Sequence, residues 1–513
     1  MRCVAQGQPF LWANRDIAIE RFRETERADE ILTREFAAHR LAEDMEEPIH
    51  FAGIHETVEN VRARKISPVE IVEAHLLRVE TLQPKLNAFV HIDAEGTRAQ
   101  AKMAEAAMMR GDAIGALHGV PFSVKSCIDV AGWRGPAGSL LRKDYRSGVD
   151  AVLVARLKAA GAILLGNTNT PEFLMAYETN NLVSGRTSNP WNVARSAGGS
   201  SGGEAAAIAA GCSMGGAGSD GGGSVRVPAH FCGIAALKPT PGRIPSTGHF
   251  PKGTGAFDWL GVVGPMARTV RDVRALFEVM KGADEDDALC SPIEAKPYHA
   301  EELRGMRIGI LESDALGNAT EETTAAVQRA ARLLEAQKLN VEAFRLDGLR
   351  RAIELWWFFF GPMIAYLFRE TVAGREAELS PMFREYLAVA QLKSPATLDE
   401  FMMACAARDE VRASIMQQMR DTPILLSPVC LAPAFRHGEG SWRPGTGYRD
   451  TMRHSQWLNL AGFPGVAVPM GFSAEGLPIG VQLIGRPNED ELVLAVGELL
   501  ESARGKWEAP PGV

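Results

Sequence analysis

The sequence has few cysteines, and their arrangement indicates neither a disulfide framework nor a metal site. There are seven cysteines in 513 residues, which is an odd number, and no two of them form a CxxC pair. Disulfide-rich domains and zinc sites use paired or regularly spaced cysteines. We therefore expect reduced, mostly buried thiols in a cytoplasmic protein that uses no metal and no cofactor.

An excess of basic residues and a long apolar run are also missing. The formal net charge is −8 and the pI is about 5.9, whereas nucleic-acid-binding surfaces are basic. The strongest apolar run, residues 355–368, is interrupted by Gly361-Pro362 and is shorter than the roughly 18 residues of a membrane span. We expect no membrane span, and we interpret this run as a buried helix or a substrate-pocket wall, with a partner surface as the alternative. The first residues lack the apolar core of a secretory signal.

Helical and β-rich segments alternate along the chain, which predicts an α/β fold with a single large mixed β-sheet covered by helices on both faces. We divide the chain into a helical N-terminal extension, residues 1–50, and one large domain, residues 51–505. Ser67 and Thr97 are expected to cap helices that reach Leu82 and Met109, because Ser and Thr are favoured at N-caps. Strands are expected at the short β-rich runs 119–125, 162–168, 306–311, 341–346, 423–428, 465–471 and 478–485.

One stretch, residues 198–224, carries eleven glycines and five serines among 27 residues. An Ala-rich segment from Glu204 to Ala210 lies in its middle and favours a helix, so the stretch does not have the composition of a flexible linker. Glycine lets backbone amides approach a ligand without interference from a side chain. We predict two glycine-rich turns with one helix between them.

Two familiar motifs match this stretch only in part. GAGSDG (216–221) fits the dinucleotide-binding G-x-G-x-x-G, but a helical segment precedes it where that motif requires a strand. GSSGG (199–203) fits the nucleophile elbow G-x-S-x-G with Ser201 at its centre, but a loop precedes it where the elbow also requires a strand. The elbow would also need a histidine such as His437 or His454, and neither has a distinctive context.

A third interpretation accounts for more residues and centres on Ser224. The amides of Gly221, Gly222 and Gly223 directly precede it and can form a nest of N–H donors for an oxyanion while the serine attacks. A serine nucleophile needs a base. Lys125 lies on a strongly apolar strand, GVPFSVK, where burial would lower its pKa toward that of a base. Taken alone, this lysine is better explained as a surface residue at a strand end.

Lys125 in GVPFSVK, Ser200 in GGSSGG and Ser224 in GGGSVR together resemble the amidase signature family, and the two serines are 24 residues apart as in that family. The resemblance extends over about residues 52–500. It implies that 51–505 is a catalytic domain with the amidase signature fold. The further similar segments are AGIHETVENVRARKISPVEIVEAHL, GNTNTPEF, TSNPWN, FCGIAALKPTPGRIP, GPMARTVRDV, NLAGFPGVAVPMG and GLPIGVQLIGRP.

The resemblance implies a role for each of these residues. Ser224 would be the acylated nucleophile, Lys125 the base, and Ser200 the proton bridge between them, with a cis peptide bond from Gly199 to Ser200. The supporting residues would be Ser201, Asp220 and Arg226. Position 221 departs from the family, which usually has a side chain where this sequence has glycine, so we expect a looser loop and a wider pocket floor.

The family hydrolyses amides, and some members cleave esters or carbamates. Relatives contact substrate after the NTPEF motif, which here implicates Leu174 and Met175 and, with the aromatic run, favours hydrophobic acyl or aryl amides in the manner of fatty-acid-amide and aryl-acylamide hydrolases. Cleavage of carbamates, as by a urethanase, is a further option. Two alternatives stay open: a glutamine-using amidotransferase subunit with partner subunits, and a degenerate binding scaffold. We expect a monomer or homodimer with a small-molecule amide or carbamate substrate and no nucleic-acid partner.

Overall fold

The computed structural model describes residues 48–512 apart from 254, 256, 257, 295, 314, 392–395, 446 and 447. Residues from Gly53 onward form one compact unit. The predicted helical extension, residues 1–50, lies almost entirely outside the described residues, so this division of the chain stays a prediction.

Thirteen strands and sixteen α-helices are described in this part of the chain. The strands are β1 Phe89–Ile92, β2 Pro121–Lys125, β3 Ile163–Thr168, β4 Asn180–Asn181, β5 Gly185–Arg186, β6 Gly215–Asp220, β7 Ala235–Lys238, β8 Val262–Ala267, β9 Arg307–Glu312, β10 Asn340–Arg345, β11 Ile424–Pro428, β12 Gly465–Phe472 and β13 Pro478–Gly485. The helices are α1 Ile54–Arg62, α2 Pro68–Leu86, α3 Ala94–Arg110, α4 Val152–Ala159, α5 Gly202–Ala209, α6 Arg226–Cys232, α7 Val270–Met280, α8 Ala300–Leu303, α9 Glu321–Ala336, α10 Leu349–Phe358, α11 Ile364–Val372, α12 Pro381–Gln391, α13 Leu398–Gln418, α14 Tyr448–Thr451, α15 Arg453–Ala461 and α16 Asp490–Arg504.

Eleven of the strands form one mixed sheet in the order β1-β3-β2-β6-β8-β7-β12-β13-β11-β9-β10. Strand β2 is parallel to both of its neighbours, β3 and β6. Further across the sheet, each neighbouring pair in the run β6-β8-β7-β12-β13-β11 is antiparallel. Every residue of β2, β3 and β6 is buried, as expected for parallel strands that are covered on both faces. The predicted mixed sheet with its helical layers is confirmed.

The predicted N-cap is correct for helix α2 and wrong for helix α3. Ser67 caps α2 with a capping box that includes Glu70, as the sequence predicts, and the helix continues past Leu82 to Leu86. The predicted N-cap at Thr97 is wrong, because Asp93 caps α3 and the helix begins at Ala94. The Thr97 hydroxyl instead donates to the Leu164 carbonyl of β3, which fixes the first turn of α3 against the sheet.

The second predicted glycine-rich turn is mostly a strand. Residues 215–220 form β6 between β2 and β8, and the turn is confined to the residues that follow. Glycine is required here by close packing, since a Cβ at Gly216 would lie 2.1 Å from the Ser123 carbonyl oxygen. The composition of β6 reflects the approach of its neighbours and is therefore a poor predictor of its strand conformation.

The apolar run 355–368 folds into α10, a turn of π-helix at Phe359–Met363, and α11. Most of its side chains are buried in the largest hydrophobic cluster, although Tyr366 and Leu367 are exposed. No helix among the described residues has the length and apolar character needed to cross a membrane.

Candidate active site

Lys125 ends strand β2 with a fully buried side chain. Its Nζ donates to Ser200 Oγ at 2.6 Å and lies 3.1 Å from Ser219 Oγ on the neighbouring strand β6. Burial lowers the pKa of Lys125 to about 8, although nearby acidic groups oppose that shift. The structure therefore brings together two of the three predicted relay residues and adds Ser219, which the sequence did not indicate.

Ser200 and Ser201 lie in the turn that leads into α5, and this turn contacts the one that holds Ser224. The peptide bond from Gly199 to Ser200 is cis, the form that the resemblance implies. Thr170 Oγ1 donates to the Ser200 carbonyl at 2.7 Å, and the Ser201 amide donates to the Ser224 carbonyl at 3.1 Å. These bonds hold Ser200 and the predicted nucleophile Ser224 in adjoining turns.

The turn after β6 is arranged around the Asp220 carboxylate. This carboxylate accepts the amides of Gly222 at 3.2 Å and Gly223 at 2.6 Å. These two predicted oxyanion donors are thus engaged within the protein. Among the described residues no acceptor is found for the amides of Gly221 and Ser224, so these two are the donors that the turn leaves available.

Asp220 is also paired with Arg226, and both side chains are inaccessible to solvent. Burial alone would raise the pKa of Asp220, but the guanidinium and the backbone amides outweigh burial and hold that pKa well below its usual range. Arg226 donates further to Asn459 Oδ1 and Gln482 Oε1. The two predicted supporting residues therefore fix the loop to α15 and β13, which are distant in sequence.

Ser201 makes its side-chain contacts with strand β6. Its Oγ lies 3.3 Å from both the carbonyl and the amide of Ser219. Unlike an elbow nucleophile, this hydroxyl has no histidine partner among the described residues. His437 contacts Glu178, and His454 is buried with a pKa lowered to about 4 by burial.

Aromatic side chains cover the glycine loop. Trp356 Nε1 donates to the Gly221 carbonyl at 2.9 Å, and the Tyr177 hydroxyl donates to the Gly222 carbonyl at 2.5 Å. Trp356 stacks on Phe360 with ring centroids 4.6 Å apart. Both aromatic residues beside Gly221 come from the 355–368 run, so part of this run lies against the candidate site.

The two predicted substrate contacts differ in their exposure. Leu174 is half-buried and has a left-handed φ of 70°, while Met175 is buried. The Met175 carbonyl accepts a hydrogen bond from Trp442 Nε1, and the Trp442 ring lies 5.8 Å from that of Tyr177. Met175 thus belongs to the aromatic surroundings of the loop.

Several polar residues of the site were missed by the sequence analysis, although two of them left a signal. Glu204 is the only charged residue in the segment GGEAAAIAAG, and Gln482 is the only polar side chain in strand β13. A lone polar residue in a buried segment needs a partner, which marks it as part of a network. Ser219, Asn459 and Thr170 left no comparable signal.

The chain is similar to known amidases over most of its length. The family model described as Amidase matches residues 70–494. The A subunit of the glutamyl-tRNA(Gln) amidotransferase of Roseiflexus castenholzii (strain DSM 13941 / HLO8) is 35% identical over 481 residues, which cover 88% of this chain and 95% of the relative.

Two solved structures of amide-cleaving enzymes are also similar to this chain. A 6-aminohexanoate cyclic dimer hydrolase complexed with substrate is 29% identical, with a TM-score of 0.79 over 90% of this chain and 99% of the other. A bacterial aryl acylamidase is 26% identical, with a TM-score of 0.81 over 91% of this chain and 100% of the other. The chain belongs to the amidase signature family.

Proposed function

We propose that this chain is a serine hydrolase that cleaves amide C–N bonds through acylation of Ser224. The observation that carries the proposal is the 2.6 Å contact between Lys125 Nζ and Ser200 Oγ, both buried, beside the turn of Ser224. With its pKa lowered to about 8 by burial, roughly a tenth of Lys125 is the neutral amine at pH 7. A surface lysine would have almost none.

In each half-reaction the proposed relay moves one proton toward Lys125 and then returns one proton to the leaving group. Neutral Lys125 accepts the Ser200 hydroxyl proton while Ser200 accepts that of Ser224, whose Oγ attacks the substrate carbonyl. The tetrahedral intermediate then expels the amine, which receives a proton through the same residues. Water attacks the resulting ester of Ser224 by the same route and releases the acid.

Developing negative charge on the carbonyl oxygen needs fixed donors. The amides of Gly221 and Ser224 are the two that the Asp220 carboxylate leaves available. Because Asp220 and Arg226 neutralise each other in a fully buried ion pair, the loop keeps its shape without placing a net charge beside the oxyanion.

We propose hydrophobic acyl or aryl amides as substrates. This rests on the aromatic side chains against the glycine loop, Trp356 and Phe360, and on the buried Met175 beside Trp442. The relay would attack a carbamate or an ester carbonyl in the same way, so these are secondary substrates of the same proposal.

A panel of p-nitroanilides with acetyl, octanoyl and benzoyl groups, together with a matched aryl carbamate, tests both parts. We expect Ser224→Ala to reduce hydrolysis to background, and Lys125→Ala to lower kcat by roughly 10²–10⁴-fold, the usual contribution of a positioned base. His437→Gln is the matched control and should retain activity. Turnover that survives Ser224→Ala would overturn the mechanism, and a preference for acetyl over octanoyl and benzoyl would overturn the substrate class.

The second candidate is a component of a tRNA-dependent amidotransferase. It is favoured by the 35% identity to the A subunit of a glutamyl-tRNA(Gln) amidotransferase, in an alignment that covers 88% of this chain. Ammonia release from glutamine that requires co-expressed partner subunits, with no turnover of any anilide by the chain alone, would support this candidate over the hydrolase.

A further inference from the structure

Glu204 is a buried carboxyl group that the proposed relay does not use. It lies in the first turn of α5 and is inaccessible to solvent. Ser123 Oγ donates to its Oε1 at 2.6 Å, and Thr168 Oγ1 donates to its Oε2 at 2.7 Å. Each carboxyl oxygen therefore has one hydroxyl partner, and the two partners come from two different strands.

Both hydroxyls belong to residues that lie close to Lys125 in the sheet. Ser123 is two residues before Lys125 on β2, so the two side chains leave the same face of the strand. Thr168 is the register partner of Lys125 on β3. The carboxyl group thus ties α5 to both strands at the position of the lysine.

The other end of this connection is Ser200. Helix α5 begins at Gly202, two residues after Ser200, so the element that Glu204 anchors is also the one that positions the bridging serine. The carboxyl fits closely, since a Cβ at Gly216 on β6 would lie 2.2 Å from Glu204 Oε1. Both the Ser123 carbonyl and Glu204 therefore require glycine at position 216, independently of any ligand.

Lys125 and Glu204 also act on each other electrostatically. Burial raises the pKa of Glu204 to about 7, while the hydroxyls of Ser123 and Thr168 and the charge of Lys125 oppose that rise.

The other titratable groups near Lys125 are Cys127 on its own segment, Asp220 on β6, and His249 from a loop. Of these, Asp220 is neutralised by Arg226, and burial raises the pKa of the Cys127 thiol and lowers that of His249 to about 4, so both are neutral.

We propose that Glu204 is a positioning residue of the relay, which fixes Lys125 relative to Ser200 through Ser123 and Thr168 and whose charge sets how readily Lys125 loses its proton. This inference rests on the proposed hydrolase function. An ionised Glu204 favours the ammonium form of Lys125, and a neutral group at position 204 favours the amine.

The test is the pH profile of kcat/KM for anilide hydrolysis by Glu204→Gln. Glutamine keeps the size of the side chain and can still accept one hydroxyl and donate to the other, because hydroxyl groups rotate. We expect the acidic limb of the profile to move to lower pH by about half a unit or more, with kcat at the plateau within about threefold of wild type. Superimposable profiles for Glu204→Gln and wild type would overturn the proposal.

Glu501→Gln is the matched control. Glu501 is a partly buried carboxyl whose pKa burial also raises to about 7, but it accepts the Val270 amide at the start of α7. We expect it to change the melting temperature and leave the pH profile unchanged. An equal shift of the profile in this variant would show a general effect of buried charge and overturn the proposal.

A second variant tests the positioning part separately. Thr168→Val removes one hydroxyl with little change of volume and should lower kcat more than it raises KM. A change in KM alone would overturn the positioning role. Failure of the hydrolase function itself is distinguishable, because wild-type protein would then turn over no anilide at all.

Discussion

Lys125 combines two properties that oppose each other at the scale of a single residue. Complete burial makes its ammonium form unfavourable, and the same burial makes its amine available as a base. The residue therefore lowers the stability of the fold at neutral pH while it gains reactivity. Because the pKa is lowered on folding, the unfolded chain binds the proton more tightly and the penalty is greatest below the folded pKa.

Lys125→Met should expose this conflict. Between pH 7 and pH 9.5 the penalty of the buried lysine falls by about 2 kcal/mol, given a folded pKa of about 8 and an ordinary lysine pKa of 10.5. We therefore expect the free energy of unfolding of wild type, relative to Lys125→Met, to rise by about that amount over this range, while the variant shows the large loss of kcat that is expected for Lys125→Ala. Urea unfolding at the two pH values measures it, with Lys102→Met, an exposed lysine on α3, as the control. A pH-independent difference would contradict a lysine whose pKa is lowered on folding.

At the scale of an element, the turn after β6 shows that adjacent glycines have different reasons to be there. A Cβ at Gly221 would lie 3.5 Å from Phe360 Cε2, an ordinary contact, whereas a Cβ at Gly222 would lie 2.5 Å from Trp356 Cζ2. Gly223 has a φ of 119°, which strains any residue with a side chain. The space beside Gly221 thus admits a methyl group, and the expected wider pocket floor at this position is bounded by Phe360.

Gly221→Ala and Gly222→Ala should therefore have opposite effects. The first restricts the unfolded chain without a clash and should stabilise the protein by about 0.4–1 kcal/mol, with kcat changed less than threefold. The second displaces Trp356, which donates to the Gly221 carbonyl, and should cost about 1–3 kcal/mol together with most of the activity. Thermal melting and anilide turnover measure both effects. Destabilisation by Gly221→Ala of the size seen for Gly222→Ala would contradict this account of the turn.

At the scale of the whole molecule, the sequence predicted what local chemistry determines and missed what distant segments determine. Strands β2 and β3 are apolar and were predicted within two residues, whereas β6 is strand because its glycines admit its neighbours. The contacts of Arg226 with Asn459 and Gln482 span 233 and 256 residues. No local pattern encodes such pairs, although the resemblance to the family supplied the residues at their centre.

The site is assembled from strands at the middle of the sheet, which makes a prediction about unfolding. Lys125 ends β2, Ser219 and Asp220 end β6, and Arg226 contacts Gln482 on β13. These strands are buried along their length, and buried central elements open only with the global transition. We therefore expect loss of anilide hydrolysis and loss of tryptophan fluorescence to follow one urea curve, because Trp356 and Trp442 pack at the same site. Inactivation at a urea concentration clearly below the fluorescence transition would show instead that the glycine loop opens independently of the sheet.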